Sequence, residues 1–337
     1  MKKNKIKPVT EDEWQQVEKF NRDLRDEFIN NSTELSPKSR DTYRSALGIW
    51  FRYLKDHHNN IKHFDVKSKV FMMYQNWLLN EGSSSADISN KRSAVSSLNN
   101  YIMLYYEDDV PTFRNFVTSV KKPPPVPVHE KDPPSKAEMD MLIAELERRE
   151  EWQKIAYLKF TFETGCRRAE TRQLLKNFVN TEPTIKTIKV KNEQGIEEER
   201  VSKYYVTHKI RCKGKGTAGK ARVLKVSDDA MDALKKWIEV RGDDDCEYMF
   251  VTKYYGTVKQ VSDNTFNQWS TRVFAPILGR RFHPHGLRYA RTTIGVLEDG
   301  KSLESLQRLL GHESSETTKT YLVKDSSDDE SDELFVD

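Results

Sequence analysis

Three short stretches decide how this chain is read: Thr164-Gly165-Cys166-Arg167-Arg168-Ala169-Glu170, His285-Gly286-Leu287-Arg288, and Leu309-Leu310-Gly311-His312 running on to Tyr321. The first puts an arginine and a carboxylate at a helix start, just after a Thr-Gly turn. The second opens another helix with a histidine and an arginine one turn apart. In the third, Gly311-His312 closes the short helix ESLQRLL, and Tyr321 follows nine residues after His312. Taken singly, each part is ordinary. A helical arginine is usually solvated, a lone histidine usually lies on the surface or in a satisfied core, and a tyrosine after a helix is usually packing. A histidine, an arginine, a second histidine and a tyrosine in this order within 37 residues, with an Arg–Glu pair upstream, are much harder to obtain by chance.

Around these stretches the chain is mainly helical. Residues 10–31 have helical spacing, with Trp14, Val17, Phe20, Leu24 and Phe28 on one face. Ser36-Pro37 opens a second helix, serine as cap and proline at the first position. Its apolar set is Tyr43, Leu47, Trp50, Phe51 and Leu54, and its other face carries Lys38, Arg40, Arg44 and Arg52. Helical stretches follow near 65–80 and 86–106, the latter capped by Asp87 or Ser89, and a short one near 111–120. KKPPPVPVHEKDPPS, residues 121–135, reads as a stiff extended linker, because proline fixes φ and lacks an amide donor. Ser135 and Glu138 then form a capping box for a helix to about Arg149, with further helices at 151–163 and from Arg167. Between 184 and 226 the period changes to β-type alternation, which predicts three short strands, two of them joined by the turn KGKGTAGK at 213–220. Helical segments return at 227–240, 263–279, 286–299, 302–310 and 315–323. The expected architecture is mainly α with a small β-sheet. A helical domain spans 1–120, a linker 121–135, an α+β domain 136–323 and an acidic tail 324–337.

The size of 337 residues suits two domains. No apolar run approaches the ~18–20 residues of a membrane span, and the basic N-terminus lacks the apolar core of a secretory signal. The expectation is an intracellular, cytoplasmic protein. Cys166, Cys212 and Cys246 form no CxxC pair and no zinc spacing, so they read as reduced thiols. The net charge of +4 hides an asymmetry. The last fourteen residues hold seven acids and one lysine. That leaves 55 of the 56 Lys and Arg, and 45 of the 52 Asp and Glu, on the first 323 residues, a net +10 there. A body this basic suits a polyanionic partner, although charge alone does not name one.

The three stretches resemble the signature boxes of the tyrosine recombinases. TGCRRAE is similar to their T-G-x-R-x-x-E box, HGLR to their H-x-x-R box, and LLGHESSETTKTY to their L-G-H box followed nine residues on by tyrosine. The turn KGKGTAGKAR stands where the family carries a hairpin lysine, and SPKSRDTYRSALGIWFRYL resembles the family's helical core-binding, SAM-like domain. The resemblance covers about residues 10–323 and implies a site-specific recombinase or integrase that joins DNA to Tyr321 as a 3′-phosphotyrosine. It implies Arg167 and Arg288 on the phosphate oxygens, with Arg168 as the alternative to Arg167, and Glu170 in support. His285 would accept a proton or bond the phosphate, and His312 would donate to a phosphate oxygen. Lys215 fits the general acid best. The turn is two residues longer than the common form, which keeps Lys213 and Lys220 open.

Chemistry supports that assignment: guanidinium forks match phosphate oxygens, and a phenol of pKa ~10 needs help to lose its proton. No HExxH, zinc pattern or Walker P-loop is present, so no metal or other cofactor is expected. The expected partner is double-stranded DNA at a specific site. The protein would be a monomer when free and a homotetramer passing through a Holliday junction on DNA. Lys38, Arg40, Arg44, Lys213, Lys220 and Arg222 would be DNA contacts, and the acidic tail reads either as a disordered, solvating segment or as one whose Leu334, Phe335 and Val336 dock on a neighbouring subunit. The architecture looks closest to the simple Xer- or Cre-like enzymes, with no separate arm-binding domain. Integration or excision of a mobile element, dimer resolution and inversion all stay open. Two other classes compete: a DNA-binding structural protein without catalysis, and a type IB topoisomerase.

Overall fold

The computed structural model describes residues 6–124, 132–191, 197–212, 219–262 and 264–311. They fall into two compact units, one within Met1–Glu130 and one built from Lys131–Lys213 and Lys220–Asp337.

The N-terminal unit is helical: α1 (Glu11–Gln15), α2 (Lys19–Asn31), α3 (Pro37–His57), α4 (Ser68–Asn80) and α5 (Ser85–Tyr105). Ser36 caps α3 as expected, accepting the Ser39 amide at 3.2 Å, with Pro37 in the first turn. Trp50 of α3 centres the core, with Phe71 and Tyr74 of α4 edge-on against it at 5.7 and 4.8 Å. Residues 10–31 form two helices rather than one. Asn60 explains the break: its side chain accepts the Glu18 amide at 2.8 Å and donates to the Gln16 carbonyl at 2.9 Å. It thereby satisfies backbone groups that a continuous helix would have paired internally. The expected helix at 111–120 is a series of turns. There Arg92 of α5 donates to the Val117 and Val120 carbonyls at 3.0 and 2.6 Å. Ser84, not Asp87 or Ser89, caps α5. Arg52, on the polar side of α3 in sequence, is 9% exposed and donates to the Lys7 carbonyl.

The C-terminal unit begins with α6 (Lys136–Arg148), opened by the Ser135–Glu138 capping box, then α7 (Trp152–Thr164) and the single turn α8 (Arg168–Thr171). The β region holds more strands than expected: β1 (Thr184–Lys191), β2 (Glu197–Val206), β3 (Ile210–Cys212), β4 (Lys220–Arg222) and β5 (Lys225–Val226). β1, β2 and β5 form one antiparallel sheet, with Thr184 opposite Tyr204 and Tyr205 opposite Val226. β3 and β4 form a separate ribbon, with Ile210 opposite Arg222 and Cys212 opposite Lys220.

After α9 (Asp228–Arg241) comes a hairpin outside the sequence expectation, β6 (Val251–Tyr254) and β7 (Thr257–Gln260). Its turn, Tyr255-Gly256, has both residues at positive φ, the geometry of a tight two-residue connection. The helices α10 (Thr265–Trp269), α11 (Ala275–Leu278), α12 (Gly286–Leu297) and α13 (Leu303–Leu310) complete the described chain. A π-helical turn at Ser270–Phe274 joins α10 to α11. The core packs α6 and α7 against the sheet, α9 and this helical layer, with Tyr157 of α7 stacked on Phe266 at 4.4 Å. Among the described residues no helix is long and apolar enough to cross a membrane.

Candidate active site

The end of α7 sets the site's position. Gly165 terminates that helix at φ +56, and a Cβ there would lie 2.4 Å from Cδ2 of Leu310. The left-handed turn and the close approach of α13 both call for glycine. The turn delivers Arg167 to the N-cap of α8 in extended backbone, φ −83 and ψ 155. Its amide donates to Oε2 of Glu170 at 3.2 Å and its Nη1 donates to Oε1 at 3.0 Å. About 30% of the Arg167 side chain stays exposed, whereas Glu170 is 1% exposed.

A buried carboxylate is costly unless it is compensated. Burial pushes the Glu170 pKa up. The Arg222 charge and its hydrogen bond, with the hydrogen bonds from the Arg167 amide and side chain, outweigh that and hold it below the ordinary value. Arg222, at the end of β4, donates from Nη2 to Oε2 of Glu170 at 2.7 Å and from Nη1 to the Leu309 carbonyl at 2.6 Å. Its placement with the DNA contacts in sequence therefore meets a guanidinium turned inward. The hairpin pairing of Arg222 with Ile210 is what presents it there.

Arg288, in the first turn of α12, is fully buried. It donates from Nη1 to the Gly165 carbonyl and from Nη2 to the Leu310 carbonyl at 2.8 Å. The last carbonyls of a helix have no partner within it. At α13, two of them, Leu309 and Leu310, are taken by Arg222 and Arg288. Gly311 closes α13 at φ +64, and a Cβ on it would sit 3.0 Å from Nη1 of Arg222.

His285 occupies the N-cap position of α12, with its ring 5.1 Å from that of Tyr289. Its pKa is pushed down to about 4, first by burial and then by the charges of Arg288, Arg167, His283 and Arg168. It is therefore a neutral imidazole at physiological pH, in a strongly positive surrounding. Beside it in sequence, His283 Nδ1 accepts the Gly286 amide at 3.0 Å. Cys166 is a buried free thiol whose pKa burial pushes up to about 11, so it is held as a packing group, 3.0 Å from the Thr171 hydroxyl.

The structure thus brings Arg167, Glu170, Arg222, Arg288 and His285 into one region around the end of α13. His312, Tyr321, Lys213 and Lys215 lie outside the described residues, as do Leu334, Phe335 and Val336. Lys220 is exposed at the start of β4. In the N-terminal unit Lys38 is exposed, Arg44 is exposed beside Asp41 at 3.4 Å, and Arg40 donates to the Ser32 carbonyl at 3.0 Å. Among the described residues no group of three His, Cys, Asp or Glu is placed to hold a metal ion. A cluster of guanidiniums facing one buried carboxylate is suited to an anion with several oxygens, such as a phosphodiester.

Residues 135–327 match the phage integrase family. The SPbeta prophage-derived recombinase-like protein YomM of Bacillus subtilis (strain 168) is 32% identical over 337 residues, covering 98% of this chain and 96% of that protein. The chain belongs to the phage integrase family. The tyrosine recombinase XerC of Shewanella sp. (strain ANA-3) is a partial relative of this chain, 33% identical over 124 residues, 36% of this chain and 40% of that protein. The fold is shared with solved integrases. The Tn1549 transposon integrase in complex with transposon right end DNA matches 93% of this chain and 99% of its own, with a TM-score of 0.62 at 15% identity. A lambda integrase(75-356) dimer bound to a COC' core site matches 88% and 96%, with a TM-score of 0.57 at 15% identity. The mainly α fold with small sheets is therefore shared with these solved integrases, and the arginines gathered above belong to the segment that the family match covers.

Proposed function

We propose that this integrase is an active site-specific DNA recombinase that cuts and rejoins strands through a phosphotyrosine at Tyr321. The observation that carries the reading is the meeting of Arg167, Arg288 and a neutral His285 at the end of α13, from which the chain runs directly into His312. Arg167 and Arg288 would bind the two non-bridging oxygens of the scissile phosphate and stabilise the charge that builds in the transition state. Glu170 holds Arg167. Tyr321 Oη attacks phosphorus, and the bond to the 5′-oxygen breaks. His285 takes the phenolic proton: the ring is neutral beforehand, and the bound phosphate would offset the guanidinium charges that lower its basicity. His312 donates to a phosphate oxygen. Lys215, or else Lys213 or Lys220 of the same turn, protonates the leaving 5′-oxygen. The phosphotyrosine conserves the energy of the phosphodiester. A 5′-hydroxyl from a second duplex therefore reverses the step, with no nucleotide hydrolysed.

The N-terminal unit would be the core-binding domain, gripping double-stranded DNA with the Lys38, Arg40 and Arg44 side of α3, while Lys213 and Lys220 add phosphate contacts. Exchange of two sites requires four protomers, and a solved lambda integrase tetramer bound to a Holliday junction shares this fold at a TM-score of 0.58. In that assembly the apolar end of the tail, Leu334 to Val336, would dock on the next protomer. The substrate would be the ends of a mobile element or a paired chromosomal site.

A suicide duplex, nicked so that the cut strand diffuses away, tests the reading. Wild-type protein on its own site should give a covalent protein–DNA complex, and Tyr321→Phe should give none. No complex from the wild type would leave a DNA-binding protein without catalysis. Site-independent relaxation of supercoiled plasmid would make it a topoisomerase instead.

A further inference from the structure

We propose that Arg222 is a positioning residue for the strand-transfer step: by taking one oxygen of Glu170 and the carbonyl of Leu309, it fixes how Arg167 faces the end of α13. The inference rests on the recombinase reading for its activity assay, but not for its geometry.

Glu170 offers two oxygens. Oε1 receives Arg167 Nη1 at 3.0 Å, while Oε2 receives Arg222 Nη2 at 2.7 Å and the Arg167 amide at 3.2 Å. Two guanidiniums therefore share one carboxylate that is 1% exposed. A guanidinium and a carboxylate prefer a two-point fork, with two parallel hydrogen bonds. Because Arg222 occupies Oε2, Arg167 engages the carboxylate through one nitrogen of its fork, and the remainder of its partly exposed side chain is available for an anion. Without Arg222, Oε2 would lose its charged partner and keep the longer Arg167 amide hydrogen bond, and the buried charge would draw both Arg167 nitrogens onto itself.

The second arm of Arg222 reaches the Leu309 carbonyl at 2.6 Å. One guanidinium thus ties together the α8 turn, the β3–β4 ribbon and the C-terminus of α13, segments 52 and 87 residues apart in sequence. Gly311 accommodates it, since a Cβ there would press to 3.0 Å on a guanidinium held at both ends. Arg222 has 18% of its side chain exposed, and both of its terminal nitrogens are engaged within the protein, one of them on the Glu170 carboxylate.

The test compares Arg222→Gln, Arg222→Lys and the double variant Glu170→Gln with Arg222→Gln. DNA affinity across salt, single-turnover cleavage of the suicide duplex at saturating protein across pH, and the Arg167 Hε–Nε cross-peak of arginine-labelled protein without DNA would be recorded. Arg222→Gln should leave affinity and its salt slope unchanged. It should slow cleavage on the order of a hundredfold, the scale of an ångström-sized misplacement. Its cleavage should also gain an ionisation absent from the wild type, from a Glu170 that has lost its compensating charge. The double variant should lose that ionisation and cleave faster than Arg222→Gln alone. Arg222→Lys, which keeps the charge and one hydrogen bond, should fall between and serves if the glutamine variant does not fold. Reduced affinity with a flatter salt slope and normal saturated cleavage would make Arg222 a DNA contact and overturn the proposal. An Arg167 cross-peak that does not move in Arg222→Gln or Arg222→Lys would overturn it as well. That spectrum is read without catalysis, so a wild type that cleaves nothing would sink the recombinase reading while still deciding this one.

Discussion

Lowering the pH should weaken the N-terminal unit through one buried imidazole. His63 has no exposed surface, and its ring is walled by Phe51, Phe113 and Phe116. Its Nδ1 accepts the indole N–H of Trp50 at 3.1 Å, so the ring proton sits on Nε2 and points at Oδ1 of Asn99, 2.7 Å away. A second proton would have to go on Nδ1, where it would meet the Trp50 donor head-on. Burial, the larger effect, pushes the pKa down from 6.5 to about 4, against a smaller upward pull from Asn99. The unfolded chain therefore binds a proton more readily than the folded one throughout that interval. Stability from the neutral ring is complete above pH 6.5 and is lost progressively as pH falls towards 4. At 1.36 kcal/mol per pH unit, the loss reaches about 3 kcal/mol, a large part of the margin of an ordinary domain. Urea titrations of the whole protein, read by hydrogen exchange in peptides from α3 and α5, isolate this unit from the other. His63→Gln keeps one donor and one acceptor but cannot titrate. It should be less stable at neutral pH and flatter across the interval. An equally steep acid loss in His63→Gln would refute the assignment to this ring.

Gly165→Ala should destabilise the C-terminal unit by about 2–4 kcal/mol in thermal unfolding, combining a left-handed backbone with a Cβ driven against Leu310. An unchanged melting temperature would contradict the close approach. Arg288→Lys keeps the charge but cannot span the Gly165 and Leu310 carbonyls, so it should cost about 1–3 kcal/mol and slow strand cleavage by at least a hundredfold or so. Cleavage near the wild-type rate would remove Arg288 from the phosphate. Lys38→Glu with Arg44→Glu should weaken DNA binding and reduce the salt slope by about 0.9 for each phosphate that is no longer neutralised. An unaltered slope would take α3 off the DNA. Deleting residues 326–337 should impair assembly on paired sites more than binding to one, and normal tetramers after truncation would exclude docking of the tail.

Local chemistry made much of the architecture legible. Ser36-Pro37 and the Ser135–Glu138 box announce α3 and α6 because a cap acts within one turn of itself, and the apolar spacing of α3 marks the residues that form its core. Distant residues produced the departures. Asn60 divides residues 10–31 into two helices from 42 positions away, and Arg92 draws the carbonyls of 117–120 out of a helical ladder. The β6–β7 hairpin is short enough, four residues a side, that its alternation carries little signal.

In the site, the sequence by itself determined which residue types occur in which order, and from that the family; it also singled out Arg167, Glu170, His285 and Arg288, which the fold gathers near the end of α13. It did so because each box is local, with glycine, arginine and histidine at offsets a single turn dictates. Only the tertiary structure decided what Arg222 touches, that the ends of α7 and α13 meet at Gly165, and that His285 is neutral. Those outcomes depend on burial and on charges brought together from segments tens of residues apart, and neither burial nor a neighbour's charge is a property of the local sequence.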